Sequence, residues 1–225
     1  MIANKETKIF ISISTNPGST GSYFHNTAYK LHNLNNLYFP LKIKNLKNIK
    51  NLFKNLNVNG CSVSMPFKKK IVSLLDIKDK TVLVTNNTNT ILIKKNKLIG
   101  FNTDFISSKI MLKKINIKDD IILLGNGAVA ETIYASLCKI YLKKIYLCSR
   151  NKSKYKNWIL KKNTKILNWS ERNILQSNTL INATTIGMSQ KINDCPIKKK
   201  SISNFKNILD IVINENSMLK KYSKM

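Results

Sequence analysis

The segment that most constrains the fold runs from Ile121 to Tyr141. Four consecutive apolar residues, Ile121 to Leu124, meet Gly125-Asn-Gly-Ala-Val-Ala130, and a helical pattern follows over Glu131–Tyr141. A short uninterrupted apolar strand is a strand buried on both faces, the signature of a parallel α/β sheet. The turn reads Gly-x-Gly-x-x-Ala between strand and helix, the context a dinucleotide fingerprint requires. In that reading Gly125 makes the tight turn, Gly127 lets backbone approach a pyrophosphate, and Ala130 permits close helix-to-strand packing. The alternative is a glycine-rich turn that binds nothing.

The next strand, Ile145–Cys148, ends in Ser149-Arg-Asn-Lys-Ser-Lys154. A fold that prefers NAD places a carboxylate about 20 residues after the glycines, where it bonds the ribose 2′-hydroxyl. No carboxylate stands here, and Arg150 with the lysines behind it suits a 2′-phosphate, so NADP is expected. A solvated basic turn is the bland alternative. Further strands are expected at Lys165–Leu167, Thr179–Asn182 and Asn207–Ile213, with a small-residue turn after the second and an amphipathic piece over Ser217–Met225.

The first half alternates in the same way. A strand over Lys8–Ser14 feeds the turn-rich loop Asn16–Gly21, then come a helix over Tyr23–Leu34, a strand over Tyr38–Ile43, a helix over Asn45–Leu56 and a strand over Cys61–Ser64. That order predicts a parallel α/β sheet, with Pro40 assigning its strand to an edge. Pro66 fits the first turn of a helix reaching about Leu75, which puts Lys68 just past the carboxyl end of a strand, where open α/β sheets bind ligands. Thr90–Ile93 and Leu98–Phe101 predict a hairpin around Lys94–Lys97. Asp104 opens a helix through Leu112 and can simply cap it. The polar stretch 116–120 reads as a linker between lobes.

Charge excludes less than it first promises. The 39 basic and 11 acidic residues leave a formal charge of +28, the balance expected of a nucleic-acid binder. Arginine occurs only at positions 150 and 172, however, and lysine is spread along the chain rather than gathered in one stripe. A nucleic-acid partner is therefore not expected. No apolar run approaches the roughly 18 residues of a membrane helix, and the first residues lack a signal-peptide core, so the expected location is the cytoplasm. Cys61, Cys138, Cys148 and Cys195 form no Cys-x-x-Cys pair, so neither metal nor disulfide is expected and they read as small buried apolar residues.

Seven segments in order resemble the shikimate dehydrogenase family, particularly its divergent shikimate dehydrogenase-like members. They are Asn16–Asn26, Ser62–Lys68, Asn89-Thr90, Gly100–Asp104, Gly125–Gly127, Ser149–Asn151 and Ile181–Met188. The resemblance implies an α/β enzyme with an N-terminal substrate-binding lobe, residues 1–104, and a Rossmann-type NADP-binding lobe, residues 105–225. It implies NADP-dependent reduction of 3-dehydroshikimate to shikimate on the chorismate pathway of aromatic amino-acid biosynthesis, in a cleft between the lobes. By the same resemblance Lys68 is the acid/base and Asp104 its partner, and Ser19, Ser22, Ser64 and Asn89 contact substrate. Gly125, Gly127 and Ala128 take the pyrophosphate, Ser149, Arg150 and Asn151 the 2′-phosphate side, and Thr184 and Met188 the nicotinamide side.

Some positions depart from the family pattern. Phe105 and Ala128 stand where glycine is frequent, Ile-Val-Ile213 follows Asp210 where a tyrosine is common, and the chain reads as C-terminally shortened. A weakened relative that binds nucleotide, or a quinate-type dehydrogenase, are the alternative functions. A homodimer stays open.

Overall fold

The computed structural model describes residues 3–115, 117, 119–188 and 191–224. The chain divides into two compact units, Met1–Ile106 and Ser107–Met225. Of the polar stretch 116–120 read as a linker, positions 116 and 118 lie outside the described residues.

The first unit carries β1 (Lys8–Ser14), α1 (Thr20–Leu31), β2 (Asn36–Lys42), α2 (Ile49–Asn55), β3 (Val58–Val63), α3 (Phe67–Lys70), β4 (Ile77–Lys78), α4 (Lys80–Thr85), β5 (Thr90–Lys94) and β6 (Lys97–Phe101), and α5 (Thr103–Ile115) begins within it. Its sheet has the order β2-β1-β3-β5-β6-β4. β2, β1 and β3 are parallel, and β2 is the outer strand, as Pro40 predicts, since an outer strand needs partners on one side only. Beyond them the sheet is mixed: β3 pairs antiparallel with β5, which the sequence reading did not specify, and β5 pairs antiparallel with β6 in the expected hairpin. A two-residue turn leaves no alternative, because parallel neighbours need a long crossover. That turn is Lys95-Asn96, both at positive φ (50° and 58°), so the hairpin forms in a left-handed turn without glycine.

Two expectations change. Pro66 precedes the first helical turn rather than lying in it, and the helix is shorter than expected: after Lys70 it tightens into a 3-10 turn over Ile71–Leu74. The turn carries Ile71 and Val72 into the core beside Ile11, Ile13, Phe53 and Ile91. α4 and β4 have no counterpart in the sequence reading. α4 owes its start to Asp79, whose Oδ1 accepts from the Thr81 amide (2.8 Å) and hydroxyl (2.7 Å). Those bonds hold the Asp79 carboxyl below its ordinary value of 3.8. A depressed carboxyl pKa contributes stability above the unfolded value and loses it as pH falls through the folded one. Acid melts of wild type and Asp79→Ala should therefore converge below about pH 3.8, the unfolded reference value.

The second unit carries β7 (Ile121–Leu124), α6 (Ala128–Ile140), β8 (Ile145–Cys148), β9 (Thr164–Leu167), β10 (Thr179–Asn182), β11 (Asn207–Asp210) and α7 (Met218–Ser223). All five strands are parallel in the order β11-β10-β7-β8-β9. This is the doubly wound order of a dinucleotide-binding half, with its switch point between β7 and β10. Alternate residues of β7 feed two cores, Ile121 and Leu123 on the α6 side and Ile122 and Leu124 on the other, which is why the strand is apolar throughout. β11 stops at Asp210, short of Ile213, which is fully exposed. The Asp210 carboxylate ends the strand by turning back on the chain: Oδ1 accepts from the Val212 amide and the Asn182 side chain, and Oδ2 from the Ser217 hydroxyl. Of the four cysteines, all free, Cys61 and Cys148 are buried while Cys138 and Cys195 are half-buried. No helix among the described residues is long and apolar enough to cross a membrane.

Candidate functional site

In the first unit the ends of three elements meet in one hydrogen-bonded group. β3 ends at Val63, and Ser64 closes the turn into α3 by accepting from the Phe67 amide (2.9 Å). Lys68 follows in that first turn. Its own carbonyl accepts from the Thr88 amide (3.0 Å), which docks α3 against the segment entering β5. The buried Thr88 donates its hydroxyl to the carbonyls of Phe101 (2.7 Å) and Thr90 (3.0 Å), tying the two ends of the hairpin together. Asn102, also buried, donates its amide to the Thr81 hydroxyl, so the Asp79 cap of α4 reaches the residue just before α5.

On this frame Lys68 Nζ lies 2.7 Å from Asp104 Oδ2. The other carboxylate oxygen, Oδ1, accepts from Asn89 Nδ2 at 2.9 Å. Asn89 Nδ2 also donates to the Thr103 hydroxyl (2.8 Å), while Asn89 Oδ1 accepts from the Thr103 amide (3.0 Å). Asp104 is the second residue of α5, and both of its carboxylate oxygens are engaged by side chains, Lys68 on one and Asn89 on the other. The Lys68 side chain is 16% exposed and that of Asp104 38%. The ammonium is thus shielded enough to resist salt screening, and the carboxylate stays open to a ligand. A second ion pair, Lys50–Asp76, also lies in the first unit.

The sequence-predicted serines stand outside that group. Ser64 is exposed at the carboxyl end of β3, Ser19 is exposed and precedes α1 without capping it, and Ser22 lies in the first turn of α1. The Ser22 hydroxyl is buried with no hydrogen-bond partner among the described residues. Sequence reasoning missed Thr103, Thr88 and Asn102 as supports. The only available signal was their place beside Asn89 and Asp104 in the polar runs that flank a hairpin.

In the second unit the turn after β7 sits at the sheet's switch point. Gly125 has φ +115°, and a Cβ there would lie 2.6 Å from the Ala183 carbonyl oxygen, in the loop after β10. Gly127, at the start of α6, is different: a Cβ would meet nothing within 4 Å, so its open face leaves room for a group to approach the backbone. Ala128 is the first residue of α6. Gly125 is bolted to β8 by its amide to the Cys148 carbonyl (2.9 Å) and to the 3-10 turn beyond β8 by its carbonyl, which accepts from the fully buried Tyr155 hydroxyl (3.0 Å). Burial pushes that hydroxyl's pKa up, so it stays a donor.

Past the end of β8, Ser149 is buried while Arg150 and Asn151 are exposed. Arg150 makes no hydrogen bond or ion pair with another described residue. At the end of β10, Asn182 is fully buried and its Oδ1 accepts from the Thr184 amide (3.1 Å) and hydroxyl (2.7 Å). Met188 stands further along the same loop, 41% exposed.

A model of the shikimate dehydrogenase substrate binding domain matches residues 17–91. The shikimate dehydrogenase (NADP(+)) of Clostridium perfringens strain 13 is 36% identical over 196 residues, covering 84% of this chain and 72% of the relative. The chain belongs to the shikimate dehydrogenase family. The family enzyme of Clostridium beijerinckii is 32% identical over 197 residues with the same coverage. Among solved members of the fold, a shikimate 5-dehydrogenase-like protein superimposes with TM-score 0.86 at 26% identity, covering 99% of this chain and 84% of that one. A shikimate dehydrogenase solved in complex with NADP+ gives TM-score 0.86 at 26% identity, covering 99% and 83%.

Proposed function

We propose that this member of the shikimate dehydrogenase family catalyses NADP-dependent reduction of 3-dehydroshikimate to shikimate, with the first unit binding substrate and the second the dinucleotide. The observation that carries the reading is the Lys68–Asp104–Asn89 group: an ammonium held at 2.7 Å by a carboxylate whose second oxygen is fixed by an amide. The family match over residues 17–91 falls on the same unit and includes Lys68 and Asn89. The curated relatives' own name, shikimate dehydrogenase (NADP(+)), supports the substrate and the cofactor.

Bound NADPH supplies the hydride. What this chain contributes is proton handling and placement. As the substrate ketone becomes an alkoxide, negative charge builds on its oxygen, and Lys68 Nζ both stabilises that charge and donates the proton. Asp104 orients the ammonium and offers its exposed edge to a neighbouring substrate hydroxyl. Asn89 keeps the carboxylate from turning away. Ser64, Ser19 and Ser22 are the further substrate contacts.

The residues of the second unit fit NADP. The open face of Gly127 and the first turn of α6 suit a pyrophosphate, with Gly125, Gly127 and Ala128 lining it. Arg150, exposed and without a partner among the described residues, takes the 2′-phosphate, flanked by Ser149 and Asn151. Thr184 and Met188 face the nicotinamide end. Because Gly127 has open space around it, Gly127→Val should fold with a melting temperature near wild type yet bind NADP at least about tenfold more weakly, a loss of roughly 1.4 kcal/mol or more, measurable by calorimetry.

The deciding assay is shikimate-dependent reduction of NADP, with quinate and NAD as controls. Turnover of shikimate with NADP well above both controls is the expected result. Intact NADP binding without turnover of shikimate or quinate would overturn the enzymatic reading.

A further inference from the structure

We infer that Asn126, the residue between the two glycines, is a positioning residue that sets NADP-over-NAD selectivity by holding the Arg150 loop against the phosphate-binding turn. The inference rests on the NADP reading above and concerns a side chain that takes no part in it.

Asn126 is half-buried and its Nδ2 donates to two atoms across the sheet edge, the Ser149 hydroxyl oxygen at 3.0 Å and the Asn151 carbonyl at 2.6 Å. The Ser149 hydroxyl in turn donates to the same Asn151 carbonyl at 3.0 Å. The residues on either side of Arg150 are therefore both anchored to one amide group, while the arginine's own side chain is exposed and pairs with no other described residue. Asn151 is fixed from its other end as well, since its Oδ1 accepts from the Ser153 amide (3.0 Å) and hydroxyl (2.6 Å) to start the 3-10 turn over Lys152–Asn157.

The placement matters because of what Asn126 joins. Its backbone is part of the turn that receives a pyrophosphate, and its side chain holds the backbone that presents Arg150. A nucleotide with a 2′-phosphate must satisfy both ends at once, whereas NAD uses only the first. A fixed spacing between the two ends lowers the ordering cost of engaging the second phosphate and does nothing for a nucleotide that lacks it. Only a side chain that donates twice can do this: an aspartate would set acceptors against a carbonyl oxygen, and alanine offers nothing.

Removing the amide should leave the fold in place. The glycine turn stays bolted to β8 and to the 3-10 turn beyond it through the Gly125–Cys148 and Tyr155–Gly125 bonds, and the Ser149–Asn151 bond survives. Only the link to the turn is lost.

The test is calorimetric binding of NADP and NAD to the full chain. Wild type should prefer NADP. In Asn126→Ala and in the bulkier, donor-free Asn126→Leu, NADP affinity should fall about tenfold while NAD affinity stays within about twofold, the loss of one or two modest hydrogen bonds acting on the 2′-phosphate alone. In an Arg150→Ala background the Asn126→Ala change should have no further effect on NADP, because the two residues act through one contact. Equal weakening of both nucleotides, no weakening of NADP, or full additivity with Arg150→Ala would each overturn the inference. A wild type without NADP preference would overturn the reading of Arg150 itself, a failure visible before any variant is made.

Discussion

Lys68→Ala is expected to lower kcat for shikimate oxidation by roughly 10²–10⁴-fold, the usual contribution of a positioned general acid/base. NADP affinity should be unchanged, because the proposed nucleotide contacts lie in the other unit. Lys68→Arg separates charge from proton transfer. It retains a cation beside Asp104, but a guanidinium does not give up its proton near neutral pH, so it should restore less than the electrostatic share of the rate. Steady-state rates with direct NADP titrations measure both effects. Full activity in Lys68→Ala would remove the assignment, since the hydrogen-bonded group would then be only a structural staple between α3 and α5.

Gly125→Ala is the second large effect, and it is one of stability. The backbone there has φ +115°, and the new Cβ would press to 2.6 Å from the Ala183 carbonyl oxygen and 2.9 Å from its carbon. Those are backbone atoms, and they cannot retreat: the Ala183 amide donates to the Leu124 carbonyl at 2.9 Å, which locks β10 against β7. Backbone strain and overpacking each cost about 1–3 kcal/mol, so a loss on the order of 3 kcal/mol is expected. For a unit of this size that lowers the melting temperature by about 10 °C. Thermal denaturation followed by circular dichroism measures it, and an unchanged melting temperature would contradict the geometry. The contrast with Gly127, where a side chain meets open space, is informative. Gly125 is required by the protein's own packing, whereas Gly127 is required, on the proposed function, by the nucleotide that approaches it.

Much of this was legible in the residues. The apolar run of β7, the glycine turn and the absence of a carboxylate after β8 pointed to a parallel nucleotide-binding sheet, because a strand buried on both faces has no polar alternation to hide it. Pro40 placed β2 at an edge, and Lys94–Lys97 marked a hairpin. That the hairpin joins the parallel strands through an antiparallel β3–β5 pair was less visible, since strand order alone does not say which neighbour a strand pairs with. The early end of β11 was hidden as well. Ile211 to Ile213 are good strand formers, and only Asp210, capturing Asn182, Val212 and Ser217 through its two oxygens, overrides them.

The candidate site divides the same way. Chemistry-bearing residue types and their order are local properties of the chain, so Lys68, Asp104, Gly125, Gly127 and Arg150 could be named from the sequence alone. Which atoms meet is not local. That Asp104, able to cap its helix, instead shares its oxygens between Lys68 and Asn89 depends on residues 36 and 15 positions away. That Asn126 reaches across to Ser149 and Asn151 depends on β7 and β8 lying side by side in register. Hydrogen bonds of about 3 Å select partners by distance in space, and only the folded sheets bring those atoms that close.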